Sequence, residues 1–222
     1  RKSYGQFYTF QPIAKLMVEW LTENNPNTIY DPAFGMGAFY LASRDLEFRG
    51  NFIGTELDEN SFKFYKQHGE NHRLDLINED YFTNWDNKWD AIICNPPYLK
   101  FQKFSNRKKI FNNLSEILGV KVSGYTNFAS AFLLKSIAEL NNNGRLAYIM
   151  PLEFLNTGYG KIVKDILLRY GSIKRIIHVK DENGAFDSVI TTVCIIFFEK
   201  NHSNEPVLFS KIDDASNIII ED

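Results

Sequence analysis

Short runs of apolar, β-branched residues alternate with stretches of helical periodicity, and this alternation limits the possible folds of the chain more than any other feature. Strand patterns occur at residues 28–30, 52–55, 73–77, 90–94, 144–150, 173–179 and 191–198. Helical patterns occur at residues 38–46, 59–67, 127–140 and 159–169. This order predicts βαβ units, a mostly parallel seven-stranded sheet and helices on both faces, an α/β fold of Rossmann-like class. No helical pattern precedes the last run, so the last strand is expected to enter antiparallel.

Composition narrows the class of protein. The 222 residues are 44% hydrophobic and 23% charged, which is enough to bury one sizeable core. The net charge of -2 argues against an autonomous nucleic-acid binder, which usually carries a basic excess. Cys94 and Cys194 lie inside apolar runs, which favours a reducing compartment such as the cytoplasm. Since no run of about 18 apolar residues occurs, no membrane span is expected.

Three acidic residues follow predicted strands and point to a cofactor site. Asp31, Glu56 and Asp80 each come after one of the first three strands, and Gly35 and Gly37 lie in the loop after Asp31. Ligands of open α/β sheets bind beyond the carboxyl ends of the strands. We expect Asp31 to neutralise the ammonium of S-adenosylmethionine, Glu56 to accept its ribose hydroxyls and Asp80 to accept from its adenine amine. The glycines would let the backbone approach the cofactor closely.

Other interpretations of this segment remain open. A lone acid at a strand end is more often a helix N-cap, and we prefer that role for Asp58. A dinucleotide site is disfavoured because Tyr40 occupies the position of the third glycine in Gly-x-Gly-x-x-Gly. No metal site is expected.

The sharpest motif is Asn95-Pro96-Pro97-Tyr98, directly after the fourth strand. An exocyclic amine of adenine is a poor nucleophile because its lone pair is delocalised into the ring. The side-chain carbonyl of Asn95 and the backbone carbonyl of Pro96 could accept both N–H hydrogens of such an amine. The two prolines, Pro96 and Pro97, would fix these acceptors, and Tyr98 could stack on the ring. The alternative is a simple turn.

These residues resemble the γ-class amino-methyltransferases that methylate adenine N6 in DNA in bacterial restriction–modification systems. The resemblance covers residues 4–200 and implies a class I methyltransferase fold with S-adenosylmethionine as cofactor. Gly5 to Thr9 matches the N-terminal segment that closes over the cofactor, with Thr9 in the position that contacts its methionine part, although Phe10 replaces the usual proline after Thr9. The resemblance also implies that Phe132 walls the cofactor's adenine and that Phe186 stacks on the target base. Core packing is the alternative for both, since the chain has 19 phenylalanines.

The resemblance implies double-stranded DNA as the substrate. Chemistry on a base requires its extrusion from the stack, and Tyr98 and Phe186 would then sandwich the flipped adenine. A basic segment follows the motif and could contact phosphates, or be a solvated loop. Its basic residues are Lys100, Lys103, Arg107, Lys108 and Lys109. Residues 99–123 as a whole are expected to form an excursion loop.

The family reads its DNA sequence with a separate domain. We therefore expect residues 1–205 to form the catalytic domain and residues 206–222 to begin a linker toward a target-recognition region outside this chain. A specificity subunit or a fused nuclease are the other possible partners. Two alternative functions stay open: methylation of a protein glutamine or an RNA base amine, or a catalytically inactive cofactor-binding subunit.

Overall fold

The computed structural model describes residues 9–68, 73–98, 106–122, 127–180, 192–214 and 218–220. The helices are α1 Gln11–Thr22, α2 Ala38–Asp45, α3 Glu59–His68, α4 Arg107–Leu118, α5 Phe128–Glu139 and α6 Gly158–Tyr170. The strands are β1 Thr28–Asp31, β2 Asn51–Thr55, β3 Leu74–Ile77, β4 Trp89–Cys94, β5 Leu140–Pro151, β6 Ser172–Lys180, β7 Thr192–Glu199 and β8 Leu208–Ile212. A short 3-10 helix, Leu152–Leu155, joins β5 to α6.

All eight strands form one sheet in the order β3-β2-β1-β4-β5-β7-β6-β8. The first five pair in parallel, and β7 lies antiparallel between β5 and β6. The expected α/β fold and the antiparallel entry of residues 191–198 are therefore confirmed. Because β1 has β2 on one side and β4 on the other, the chain reverses its direction of winding there, which is where open α/β sheets bind ligands.

Helices cover both faces of the sheet, as the alternating patterns predict. One apolar cluster joins the sheet to α1, α2 and α3, and the other joins it to α4, α5 and α6. No helix in the described ranges is long and apolar enough to cross a membrane.

The structure differs from the sequence prediction in two places. The sheet has eight strands instead of seven, because Leu208–Ile212 pairs with β6. This strand lies inside residues 206–222, which we expected to begin a linker, so the sheet extends beyond residue 205. The expected excursion loop, residues 99–123, contains helix α4, whose buried stripe of Ile110, Phe111, Leu114 and Leu118 packs in the core.

Candidate active site

Four of the predicted site residues lie side by side along one edge of the sheet. Asp80 follows β3, Glu56 follows β2, Asp31 ends β1 and Asn95 follows β4, and these strands are neighbours in that order. With about 4.8 Å between adjacent strands, the row covers on the order of 14 Å. An elongated ligand lying across these strand ends would meet the three acids first and the asparagine last.

The loop between β1 and α2 carries the two predicted glycines, and both have left-handed backbone conformations. Gly35 has φ +56° and Gly37 has φ +71°, which favour glycine over residues with a Cβ. A Cβ on Gly35 would meet nothing closer than 3.8 Å, so its outer side is open for a ligand. A Cβ on Gly37 would lie 2.8 Å from the rings of Phe34 and Tyr65, so this glycine is needed for internal packing.

Glu56 is held rigidly against this loop. Its Oε2 accepts from the backbone N–H of Gly35, and its Oε1 accepts from that of Asp58, both at 2.7 Å. Burial raises the pKa of Glu56, while these hydrogen bonds act in the opposite direction. The carboxylate is therefore fixed in orientation before any ligand arrives. Asp58 accepts from the N–H of Ser61 at 2.8 Å, which confirms its predicted role as an N-cap.

Asp31 is the least satisfied polar group at this edge. Its side chain is 1% exposed, and Oδ1 accepts from the N–H of Ala33 at 3.0 Å. Its Oδ2 is buried and has no hydrogen-bond partner among the described residues. Burial raises the pKa of this carboxyl to about 8, assisted by the nearby charge of Glu56. A cationic ligand group beside Oδ2 would remove this penalty, and the ammonium of S-adenosylmethionine is such a group.

The structure brings together three residues of the predicted motif and N-terminal segment. The Nδ2 of Asn95 donates to Oγ1 of Thr9 at 3.2 Å, and the hydroxyl of Tyr98 donates to Oδ1 of Asn95 at 3.1 Å. Pro96 is buried and Pro97 is half-buried. The amide of Asn95 is therefore clamped at both ends, and Thr9, predicted to contact the cofactor, also orients this amide.

The predicted adenine end of the site combines the turn at Asp80 with an aromatic cluster. Oδ1 of Asp80 accepts from the N–H of Phe82 at 2.9 Å and shapes the turn after β3. Phe132 is 5% exposed, and its ring lies 4.9 to 5.1 Å from those of Tyr81, Phe82 and Phe128. These contacts place Phe132 in an aromatic cluster directly behind the Asp80 turn. Its predicted role as a wall for the cofactor's adenine stays a prediction.

The residues predicted to contact DNA are described only in part. Phe186, Lys100 and Lys103 lie outside the described residues. Arg107, Lys108 and Lys109 form the first turn of α4, where Lys108 and Lys109 are exposed and Arg107 lies over the ring of Phe111 at 5.5 Å. Their predicted contact with phosphates is not tested by these positions.

Sequence reasoning missed a set of buried polar side chains beneath the site. Lys135 and Glu139, with side chains 1% and 2% exposed, form an ion pair within α5. The helix was predicted to be amphipathic, but it is buried on nearly every side. A lysine and a glutamate four residues apart normally indicate a solvated helix face, so only the absence of other charged residues from the helix hinted at their burial.

Comparison with known proteins decides the family. The family model described as N-6 DNA Methylase matches residues 1–221. The chain belongs to the N-6 DNA methylase family. Among relatives of this methylase chain, Type II methyltransferase M.AccI of Acinetobacter calcoaceticus is 38% identical over 221 residues. That match covers 98% of this chain and 41% of M.AccI.

Solved structures agree with this membership at the level of the fold. A putative class I S-adenosylmethionine-dependent methyltransferase from Listeria monocytogenes superposes with a TM-score of 0.75 and 16% identity, covering 97% of this chain and 68% of its own. The type IIG restriction endonuclease BpuSI superposes with a TM-score of 0.76 and 17% identity, covering 96% of this chain and 27% of its own. The N-6 DNA methylase chain thus has the class I methyltransferase fold. It spans about two fifths of the length of the curated relatives it matches first.

Proposed function

We propose that this chain is the catalytic part of an enzyme that transfers a methyl group from S-adenosylmethionine to the exocyclic N6 of an adenine in double-stranded DNA. One observation carries the proposal. The clamped amide of Asn95 lies at the end of β4, next to the strand that ends in the unsatisfied carboxylate of Asp31. Family membership and the similarity to M.AccI support DNA adenine as the substrate.

The motif addresses the weak nucleophilicity of the adenine amine. A carbonyl oxygen has two lone pairs, so Oδ1 of Asn95 can accept from Tyr98 and from a target N–H together. The backbone carbonyl of Pro96 can accept the second N–H. Accepting both hydrogens favours a tetrahedral nitrogen, and fixed acceptors need little reorganisation during the reaction. No general base is required before attack, because the methylated nitrogen can release its proton to water afterwards.

The order of the three acids along the sheet edge supports one direction for the bound cofactor. S-adenosylmethionine supplies an electrophilic methyl group on its sulfonium. Asp31 would hold the ammonium of its methionine part, Glu56 the ribose hydroxyls and Asp80 the amine of its adenine. In this direction the methionine half of the cofactor, which carries the sulfonium methyl, lies nearer to Asn95 than its adenine does, because β1 and β4 are adjacent.

The remaining parts of the proposal concern DNA and partners. Tyr98 and Phe186 would stack on the flipped adenine, and the basic residues between Lys100 and Lys109 would contact phosphates nearby. A target-recognition domain, a specificity subunit or a fused nuclease would lie outside this chain. We also propose a restriction–modification role, a γ-class assignment and a cytoplasmic location, where such an enzyme meets its DNA.

The test is Asn95→Ala in the full-length protein. We expect methyl transfer to fall by a factor of about 10² to 10³, because one preorganised hydrogen-bond partner of the reacting group is lost. Cofactor affinity, measured by calorimetry, should stay close to that of the wild type. Transfer is measured with labelled S-adenosylmethionine on genomic DNA, with N6-methyladenine identified by mass spectrometry.

Asn141→Ala is the matched control. Its Nδ2 donates to Oδ1 of Asp90 at 3.0 Å, at the opposite end of β4, so this variant loses a similar hydrogen bond away from the site. It should methylate like the wild type. Normal methylation by Asn95→Ala would refute the proposed mechanism, and methyl transfer only to RNA or protein would refute the substrate.

A further inference from the structure

Four polar side chains form a continuous buried chain beneath the proposed site. The hydroxyl of Tyr81 donates to Oε2 of Glu139 at 2.8 Å and lies 3.0 Å from Oγ of Ser136. Oγ of Ser136 lies 3.2 Å from the hydroxyl of Tyr148. Tyr148 is the register partner of Cys94 in the β4–β5 pairing, and both side chains lie in the same apolar cluster. The exposure of all these side chains is 4% or less.

The charge of Glu139 fixes the direction of every hydrogen bond in this chain. A carboxylate can only accept, so the single hydroxyl hydrogen of Tyr81 is committed to it. All contacts can then be hydrogen bonds together only if Ser136 donates to Tyr81 and Tyr148 donates to Ser136. Hydrogen bonds aligned in one direction polarise and strengthen one another in a low-dielectric interior.

Lys135 stabilises the charged form of Glu139, against the burial that raises the pKa of this carboxyl. Its ammonium pairs with Oε1 of Glu139 and lies 3.8 Å from the ring centre of Tyr81 and 5.1 Å from that of Trp85. A buried ion pair is weak support for stability, because desolvation offsets much of the attraction. We therefore assign to this ion pair the role of orienting the hydrogen bonds of the buried chain.

The chain adjoins the proposed site at two points. Tyr81 directly follows Asp80, and Cys94, which pairs with Tyr148 across the β4–β5 register, directly precedes Asn95. We propose that Lys135 and Glu139 are positioning residues that act through this directional hydrogen-bond chain to hold both ends of the site in place. This inference rests on the proposed function. It goes beyond it by assigning roles to Tyr81, Ser136 and Tyr148, to which the proposed function gives none.

Two variants test the two ends of the proposed site separately. Tyr148→Phe removes the link next to Cys94, so kcat should fall roughly tenfold to hundredfold through misplacement of Asn95, with cofactor Kd within about twofold. Tyr81→Phe removes the link next to Asp80, so cofactor Kd should weaken about tenfold with a smaller change in kcat at saturating cofactor. Both variants are made in the full-length protein.

Tyr170→Phe is the matched control, because it deletes a half-buried hydroxyl that donates to the backbone carbonyl of Leu118 at 3.3 Å, directly before β6 and at the opposite edge of the sheet from Asn95. Amide hydrogen exchange gives a readout independent of activity. Exchange at residues 92–98 should accelerate in Tyr148→Phe and not in Tyr170→Phe. The double variant Lys135→Met with Glu139→Gln keeps a neutral core and should show both defects, since glutamine can donate as well as accept.

Equal kcat, Kd and exchange in Tyr148→Phe and Tyr170→Phe would overturn the inference, as would variants that lose only thermal stability. If the wild type methylated no adenine, the proposed function would fail. The Kd and exchange measurements would still decide whether the chain positions the two segments.

Discussion

Replacing Asp31 by asparagine should remove a pH dependence that the wild type shows in two separate measurements. The folded carboxyl has a pKa of about 8 because it is buried, against an ordinary value of 3.8. Its charged form is thus penalised in the folded protein. The free energy of unfolding is therefore highest below pH 3.8, where this carboxyl is protonated in both states, and it falls as the pH rises to 8. At about 1.4 kcal/mol per pH unit, the loss amounts to roughly 6 kcal/mol.

Cofactor binding should depend on the protonation of the same carboxyl, but it should strengthen as the pH rises. If the cofactor's ammonium requires the ionised carboxylate, binding below pH 8 must release a proton. With a pKa of about 8, the wild type should release about 0.9 proton at pH 7 and about 0.5 at pH 8 from this group. The Kd should weaken by roughly 50-fold between pH 8 and pH 6. D31N should bind the cofactor weakly at every pH and should lack this part of the pH dependence.

Two experiments measure these effects. Calorimetry in two buffers of different ionisation enthalpy counts the released protons, and urea unfolding without cofactor at pH 5 and pH 9 compares stabilities. Unliganded D31N should be the more stable protein at pH 9, with the difference shrinking toward pH 5. Asp45→Asn, on an acid paired with Lys15 at the surface, should change neither measurement appreciably. Identical pH slopes for the wild type and D31N would refute this reasoning.

Three further predictions follow from single contacts. Glu56→Ala should weaken cofactor affinity in calorimetry while Asp58→Ala, at the helix cap, mainly lowers the melting temperature; unchanged affinity would remove Glu56 from the site. Tyr98→Phe keeps the ring but loses the hydroxyl that donates to Asn95, so methyl transfer should fall while 2-aminopurine fluorescence at the target position still rises. Tyr98→Ala should lose both, and a normal rise there would argue against stacking. Gly37→Ala should destabilise the protein by about 1–3 kcal/mol in urea unfolding, because of its positive φ and its contact with Phe34; wild-type stability would contradict that assignment.

The site could be predicted largely because its residues follow strands. A buried strand ends where its apolar run ends, so the positions of Asp31, Glu56 and Asn95 at one edge followed from the alternation of strands and helices alone. What each side chain touches there required the structure. Tyr98 was expected to stack on the target base, for example, and its hydroxyl also fixes the amide of Asn95.

The missed elements have weak local patterns. Strand β8 has only five residues, of which Leu208 and Phe209 are exposed, so its alternation is too short to distinguish from a turn. Helix α4 has a regular apolar stripe that basic and amide residues obscure in the sequence. The burial of Lys135 and Glu139 depends on Tyr81 and Trp85, which come from a distant segment. No local sequence pattern predicts such packing between distant segments.

The pairing of β6 with β7 bears on how this scaffold could be re-engineered. Lys180 and Thr192 face each other in the antiparallel ladder, at the same edge of the sheet as Asn95. Closing a longer connection between fixed neighbours costs only about 0.6 kcal/mol for each doubling of its length. Segments of different length and composition can therefore join these two residues while the ladder keeps its register, so replacing residues 181–191 is a way to present new base-contacting sequences from this edge of the sheet.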